Sequence, residues 1–208
     1  REITEQYHIV LIFDEVVTGR LSLGGAQKFY GVTPDLTTMG KIIGGGTPVG
    51  AFGGKQEIMQ MYDPREKKMY HSGTFNGTMA AGLATMKAYN QEAVDYVNGL
   101  GTLFKEGVLK IYDKLGLNMK ISGAGSIYNI LFTDKEVKNY RDVASAHEEL
   151  NKVLYMSLLT KGVFDAERGM FCMSTAMTKE DIRFGLDTLQ TSLREMLPAI
   201  AEEAPELI

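Results

Sequence analysis

IVLIFDEV, residues 9–16, is an unbroken apolar run that closes on two carboxylates, Asp14 and Glu15. A run of this kind predicts a strand buried on both faces of a parallel sheet, because a half-exposed strand alternates apolar with polar residues. In open α/β sheets ligands gather beyond the carboxyl ends of the strands, so Asp14 and Glu15 stand where chemistry is expected. Downstream, GGAQKFYGVTPDLTTMGKIIGGGTPVGAFGG (24–54) reads as a short helix-like stretch, a Pro34-Asp35 turn, a second apolar segment, a glycine-rich loop and a third strand, VGAFGG. The spacing is that of alternating β and α elements, an α/β fold.

From Asn76 to Tyr96, small residues and periodic apolar ones (Met79, Gly82, Leu83, Met86, Ala88, Tyr89) predict one long helix packed closely on a neighbour. A second helix covers residues 96–115 and stops at Gly116, a C-terminal cap. Then the texture changes. ISGAGSIYNILFTD alternates as a strand or strand pair, residues 141–161 form an amphipathic helix, and GVFDAERGMFCMSTAMT forms a hairpin in which Cys172 is a buried strand residue. A final helix over 178–197 opens on Thr178 with Glu180 and Asp181 behind it. These elements predict residues 1–96 as part of a large domain and 97–208 as a small α+β domain, with no repeat, low-complexity tract or flexible linker.

The 208 residues carry a net charge of -4 and 44% hydrophobic residues, enough to bury a core and too acidic for a phosphate-binding face. Small molecules are therefore expected as partners rather than nucleic acid. No apolar run reaches the ~20 residues that would span a bilayer, and the opening REITEQYHIV lacks the order of a signal peptide. A single cysteine gives no sign of an oxidising compartment, which favours a cytoplasmic location. Arg1 is not a methionine and an apolar strand follows almost at once, as expected of a chain cut from a longer one. His8, His71 and His147 are too scattered for a metal site, and no HxxxH or CxxC spacing occurs.

The strongest chemical signal is Lys41 in TTMGKIIGGG. Glycines let backbone approach a ligand closely, and a partly desolvated lysine amine has a lowered pKa and can form a Schiff base. The spacing alone leaves a surface lysine beside a flexible loop as an equal alternative. Asp14, at the end of the first strand, suits a carboxylate holding the proton on a cofactor ring nitrogen, or a helix cap. HSGTFNG, residues 71–77, places Thr74 between a glycine and a helix start, where amides could bind phosphate; a plain cap is the commoner use of such residues.

IFDEVVTG, PDLTTMGKIIGGGTPVGAFGG and HSGTFNGTMAAG, in this order and spacing, resemble the class III aminotransferases of the glutamate-1-semialdehyde aminomutase-like branch. The resemblance runs from the first strand to the last helix. It implies fold type I of the pyridoxal-phosphate (PLP) transferases: the second half of the large sheet domain plus the small C-terminal domain. It further implies that Lys41 holds pyridoxal 5'-phosphate as a Schiff base and shuttles a proton, that Asp14 pairs with the pyridine nitrogen, and that Val16 packs on the ring. Thr74 and the amide of Gly73 would contact the cofactor phosphate of the neighbouring subunit, which implies a homodimer with shared sites.

Two departures stand out. Relatives commonly read Thr-Gly-Phe-Arg after the first motif, whereas this chain has Thr18-Gly19-Arg20-Leu21. DEVVTGRL, MYDPR and HSGTFN look more like β-phenylalanine aminotransferases, in which an arginine of a small-domain turn grips the substrate carboxylate; the matching residue here is Arg168, with Arg20 a weaker candidate. Arg168 read by itself is equally a solvated turn residue or a partner of Asp165 or Glu167. A complete enzyme of this class is about twice as long, so an N-terminal half of the same gene product is expected to supply the remaining strands and phosphate loop. The resemblance implies amino transfer from an amino acid, with a β-amino acid among the candidate donors, to a keto acid. The rival readings are an aminomutase, which moves the amine within one molecule, and an inactive or interaction-only PLP fold.

Overall fold

The computed structural model describes residues 1–66, 68–71, 79–166 and 168–208. By their internal contacts they form two compact units, Arg1–Asp95 and Tyr96–Ile208.

The first unit is built on a three-stranded sheet in the order β1-β2-β3, with β1 at Ile12–Asp14, β2 at Leu36–Met39 and β3 at Ala51–Gly54. β1 and β2 run parallel with Ile12 opposite Leu36 and Asp14 opposite Thr38; β3 returns antiparallel, Met39 facing Ala51. α1 (Glu2–Gln6) precedes the sheet, and α2 (Gly25–Tyr30) makes the crossover from β1 to β2, ending at Gly31 in the left-handed region. α3 (Gln56–Met59) follows β3, and α4 (Ala80–Ala88) closes the unit before the chain enters α5 (Gln91–Leu115).

The first strand departs from expectation. Ile9, Val10 and Ile12 are 53%, 52% and 53% exposed, not buried on both faces. β1 is also shorter than the run 9–16, and among the described residues it pairs with β2 alone. At the other end of the sheet Asp35 is buried. Its carboxylate accepts from the Leu11 amide (2.8 Å) and pairs with Lys55 (2.7 Å) and Arg1 (3.0 Å), which holds it well below the ordinary carboxylate range.

The long helix expected over 76–96 is instead α4 followed by a break. The Tyr89 amide still closes on Thr85 (2.8 Å), but the Asn90 side chain accepts from the Ala93 amide (3.0 Å) and starts α5. Asparagine competes with the helix for backbone hydrogen bonds, so a periodic apolar stripe does not by itself guarantee continuity. The expected helix start at 96 therefore moves forward to Gln91. Residues 76–78 lie outside the described residues.

The second unit packs helices on an antiparallel sheet of β4 (Lys120–Ala124), β5 (Ile127–Leu131) and β6 (Met170–Cys172). Leu100, Phe104, Val108 and Ile111 of α5 recur at helical spacing and meet Tyr128, Ile130 and Phe132 in one buried cluster. The stretch 141–161 is two helices, α6 (Tyr140–Ala144) and α7 (Glu148–Thr160), because the His147 amide leaves the helix to bond the Phe132 carbonyl (3.0 Å). The expected hairpin is smaller than its pattern suggested: a single bridge joins Ala166 to Met170, and β6 pairs with β5. Cys172 lies on β6 but is exposed, since Phe171 and Met173 take the inward positions of the two-residue repeat.

α8 (Lys179–Glu203) opens as expected on Thr178, whose hydroxyl accepts from the Asp181 amide while the Asp181 carboxylate accepts from the Thr178 amide. The helix runs beyond residue 197, through Pro198, because Met196 and Ile200 keep its apolar face in the core. Gly185, within α8, has open space where a Cβ would stand. Gly185→Ala is therefore expected to raise stability by about 0.5–1 kcal/mol, and Thr178→Ala to lower it by about 1 kcal/mol, both read from urea unfolding followed by circular dichroism.

Candidate functional site

Asp14 ends β1 and Lys41 stands just past the end of β2, three residues after Thr38, the register partner of Asp14. Parallel pairing thus sets both at the carboxyl ends of adjacent strands. The Asp14 Oδ1 atom accepts from the Val16 amide (3.0 Å) and from the Thr38 hydroxyl (3.1 Å), which fixes the carboxylate plane, while Oδ2 has no partner among the described residues. Asp14 is exposed, so that oxygen is open to a ligand.

Capping falls to the neighbouring carboxylate. Glu15 is 2% exposed and accepts from the Thr18 hydroxyl and the α2 amides of Ala26 (2.9 Å) and Gln27 (3.0 Å). Burial opposes its charge, yet these hydrogen bonds prevail and hold its carboxyl below the ordinary value. Gly25 (φ 64) admits this arrangement, since a Cβ there would meet Glu15 Oε1 at 2.7 Å. Glu15 and Thr38 are the site-forming residues for which the sequence reading named no role. The signals available were the double carboxylate before a Gly24-Gly25 pair and the two-residue repeat that aligns Thr38 with Asp14.

Lys41 opens the short 3-10 turn Lys41–Gly44 with φ 44, one of two non-glycine residues described with positive φ. For a lysine this conformation costs about 1 kcal/mol or more, and residues held so cluster at functional sites. Its side chain is exposed, with neither ion pair nor hydrogen bond among the described residues. Val16 is half-buried and lies beside the same turn: a Cβ built on Gly40 would meet its two methyls at 3.4 and 3.5 Å. Asp14, Val16 and the Lys41 turn therefore adjoin one another, an acceptor, an apolar surface and an amine at one edge of the sheet.

Gly73 and Thr74 lie outside the described residues. His71 meets Phe52 edge-on at 5.1 Å, part of an aromatic group with Tyr62. Arg20 ends the 3-10 turn Thr18–Arg20, and its carbonyl accepts from the Tyr89 hydroxyl at 3.1 Å. His147 pairs with Glu206 at 2.7 Å. Among the described residues no three His, Cys, Asp or Glu side chains group as metal ligands, and no helix is long and apolar enough to cross a membrane.

In the second unit Arg168 sits in the tight loop between Ala166 and Met170, exposed and without an ion pair among the described residues. Asp165, one suggested partner, is 3% exposed with both carboxylate oxygens unpartnered among the described residues. Burial pushes its carboxyl up to about 6. Glu167 lies outside the described residues.

The family model described as aminotransferase class-III matches residues 1–193. A glutamate-1-semialdehyde 2,1-aminomutase of Akkermansia muciniphila is 42% identical over 205 residues, which are 94% of this chain and 47% of that protein. Among solved structures, a β-phenylalanine aminotransferase from Variovorax paradoxus superposes with TM-score 0.88 at 34% identity, covering 94% of this chain and 46% of that one. A transaminase solved with PLP bound superposes with TM-score 0.84 at 28% identity over 96% of this chain and 47% of that one. The chain spans about half the length of these relatives.

The raised Asp165 value has a definite sign. Folding favours the protonated acid, so its contribution is fully present below the ordinary carboxyl value of 3.8 and is lost as pH rises through about 6. Wild type is expected to fall relative to Asp165→Asn by up to about 3 kcal/mol between pH 4 and pH 7, measured as the difference between their urea unfolding free energies at the two pH values.

Proposed function

The chain belongs to the class-III aminotransferase family, and on that premise we propose that it carries the attachment lysine, Lys41, of a pyridoxal 5'-phosphate-dependent aminotransferase. Its fold is that of the fold type I transferases, of which it comprises the part matched above. The observation that carries the reading is the amine of Lys41, without a partner among the described residues and held in a strained turn past the end of the strand that pairs with β1, where the Asp14 carboxylate has one oxygen pinned by Val16 and Thr38. Those residues fit the cofactor: an amine for its aldehyde, an acceptor for its ring nitrogen and, in Val16, an apolar surface for its ring.

Bound there, pyridoxal phosphate supplies an electron sink for the pair left when a proton leaves the substrate carbon. The chain's own residues do the rest. Asp14 keeps a proton on the ring nitrogen through Oδ2, and the bonds from Thr38 and Val16 to Oδ1 stop the carboxylate from turning away. Lys41 Nζ would hold the cofactor, and its amine would be the base that takes the proton and returns it. Arg168 takes the substrate carboxylate, a task suited to a guanidinium fork that pairs with no acid among the described residues. Gly73 and Thr74 serve the cofactor phosphate of a neighbouring subunit, so that the working enzyme is a homodimer whose remaining half-site comes from a part of the protein outside this chain.

The reaction proposed is transfer of the amino group from an amino acid to a keto acid, with a β-amino acid as the donor that the likeness to the β-phenylalanine aminotransferase favours. The similarity to the aminomutase of A. muciniphila favours a second reading, in which the amine moves within one molecule; Lys41 and Asp14 serve both. The protein containing this chain is expected to consume an amino acid only when a keto acid is present, followed by chromatography of both products. Turnover without a keto acid would establish the aminomutase instead.

Lys41→Ala is expected to abolish the visible absorbance band that borohydride removes and to lower kcat about 100- to 10,000-fold. Retention of that band would refute the assignment of Lys41. Arg168→Ala is expected to raise KM for carboxylate-bearing amines about 10- to 100-fold while leaving simple amines unaffected, measured by steady-state kinetics on the two substrate classes.

A further inference from the structure

We infer that α4 is the seat of the Lys41 turn, and that Gly82 and Gly45 are positioning residues that set where the lysine stands; the inference rests on Lys41 being the attachment point. The turn is caged from two sides. On one side, a Cβ on Gly40 would meet the Val16 methyls and the Val49 carbonyl (3.5 Å), and one on Gly44 would meet Val49 Cβ at 3.4 Å. Toward α4, backbone meets backbone. A Cβ on Gly82 would overlap the carbonyl oxygen of Ile43 and stand 3.6 Å from Gly44 Cα. A Cβ on Gly45 (φ 58) would overlap the Ala81 carbonyl oxygen and meet Thr85 Oγ1 at 2.5 Å. Ala81, Gly82 and Thr85 share one face of the helix, and that face is the floor of the turn.

Inside the cage the turn has little room to relax. Ile43 donates to the Gly40 carbonyl (3.2 Å), Gly45 to the Ile42 carbonyl (3.2 Å), and the Thr47 amide and hydroxyl to the Gly44 carbonyl (3.1 and 2.6 Å). The positive φ of Lys41 sits at the head of this closed set of bonds, so the lysine cannot adopt its strained backbone independently of where Ile43, Gly44 and Gly45 lie. A side chain forced between turn and helix would lift Ile43 and Gly44, and Lys41 with them, while Asp14 stays pinned by Thr38. The separation of amine and carboxylate is thus controlled by a helix packed on the backbone of the turn.

The test uses the protein containing this chain, loaded with pyridoxal phosphate. Gly82→Ala wedges the joint; Thr85→Ala loosens it without adding bulk and replaces a residue of poorer helix propensity. Gly185→Ala, which has no neighbour within 4 Å, controls for glycine replacement in a helix. Four readouts are taken: the visible band of the attached cofactor, its pH titration, the rate of cofactor loss on dialysis, and kcat against KM. Gly82→Ala is expected to shift the titration midpoint, to speed cofactor loss roughly tenfold, and to lower kcat about 100-fold with KM little changed, as an ångström-scale misplacement does. Thr85→Ala moves the titration and the release rate the same way by about two- to threefold.

If Lys41→Ala keeps the visible band, the assignment of Lys41 itself fails. If Lys41→Ala loses the band while Gly82→Ala and Thr85→Ala titrate and release cofactor as Gly185→Ala does, the role of α4 is overturned and the lysine assignment stands. Should Gly82→Ala not yield folded protein, Thr85→Ala decides the matter by the same two readouts.

Discussion

The in-register parallel pairing of β1 with β2 is the constraint on which the candidate site depends. Because Asp14 lies opposite Thr38, the threonine hydroxyl reaches its carboxylate, and the next three residues of the chain deliver Lys41 to the same sheet edge. A slip of one residue would turn Asp14 to the other face of the sheet and leave Thr38 without its acceptor. Asp35 secures that register from the far end, since its carboxylate accepts from Leu11, just before β1, while its own backbone stands just before β2 and its charge is met by Lys55, just after β3.

Three acidic residues near one small sheet therefore do three different jobs, and their surroundings decide which. Glu15 is buried and saturated with donors, so it organises the turn and α2. Asp35 is buried and ion-paired, so it ties strands together. Asp14 is exposed with one oxygen held and one open, which is the arrangement a ligand-facing carboxylate needs. The same reasoning separates Asp165 from the rest: it is buried without a partner among the described residues, a costly state for a charge, and burial accordingly raises its pKa instead of lowering it.

Much of the secondary structure was legible from the chain. The strand ending at Asp14, the strands around the glycine-rich loop, the pair at 120–131 and the Thr178 cap follow from short-range patterns that act before any tertiary contact forms. Where the reading erred, the cause was a contact invisible to periodicity. Asn90 broke an apolar stripe by capping a new helix, and Phe132 drew the His147 amide out of another. The apolar run 9–16 promised burial, and Ile9, Val10 and Ile12 are exposed in this chain, because a hydrophobic pattern reports only a capacity to be covered.

Residue types and their order determined by themselves the family resemblance and the β/α alternation, and through that resemblance the candidates Asp14, Val16 and Lys41, since motifs are a matter of local chemistry and spacing. Tertiary structure alone decided the roles of Thr38, Glu15, Gly45 and Gly82. A hydroxyl becomes the clamp of a carboxylate only through strand register, and a glycine becomes indispensable only when another backbone lies where its side chain would be. Such facts reside in distances between residues far apart along the chain, and no pattern along the chain encodes them.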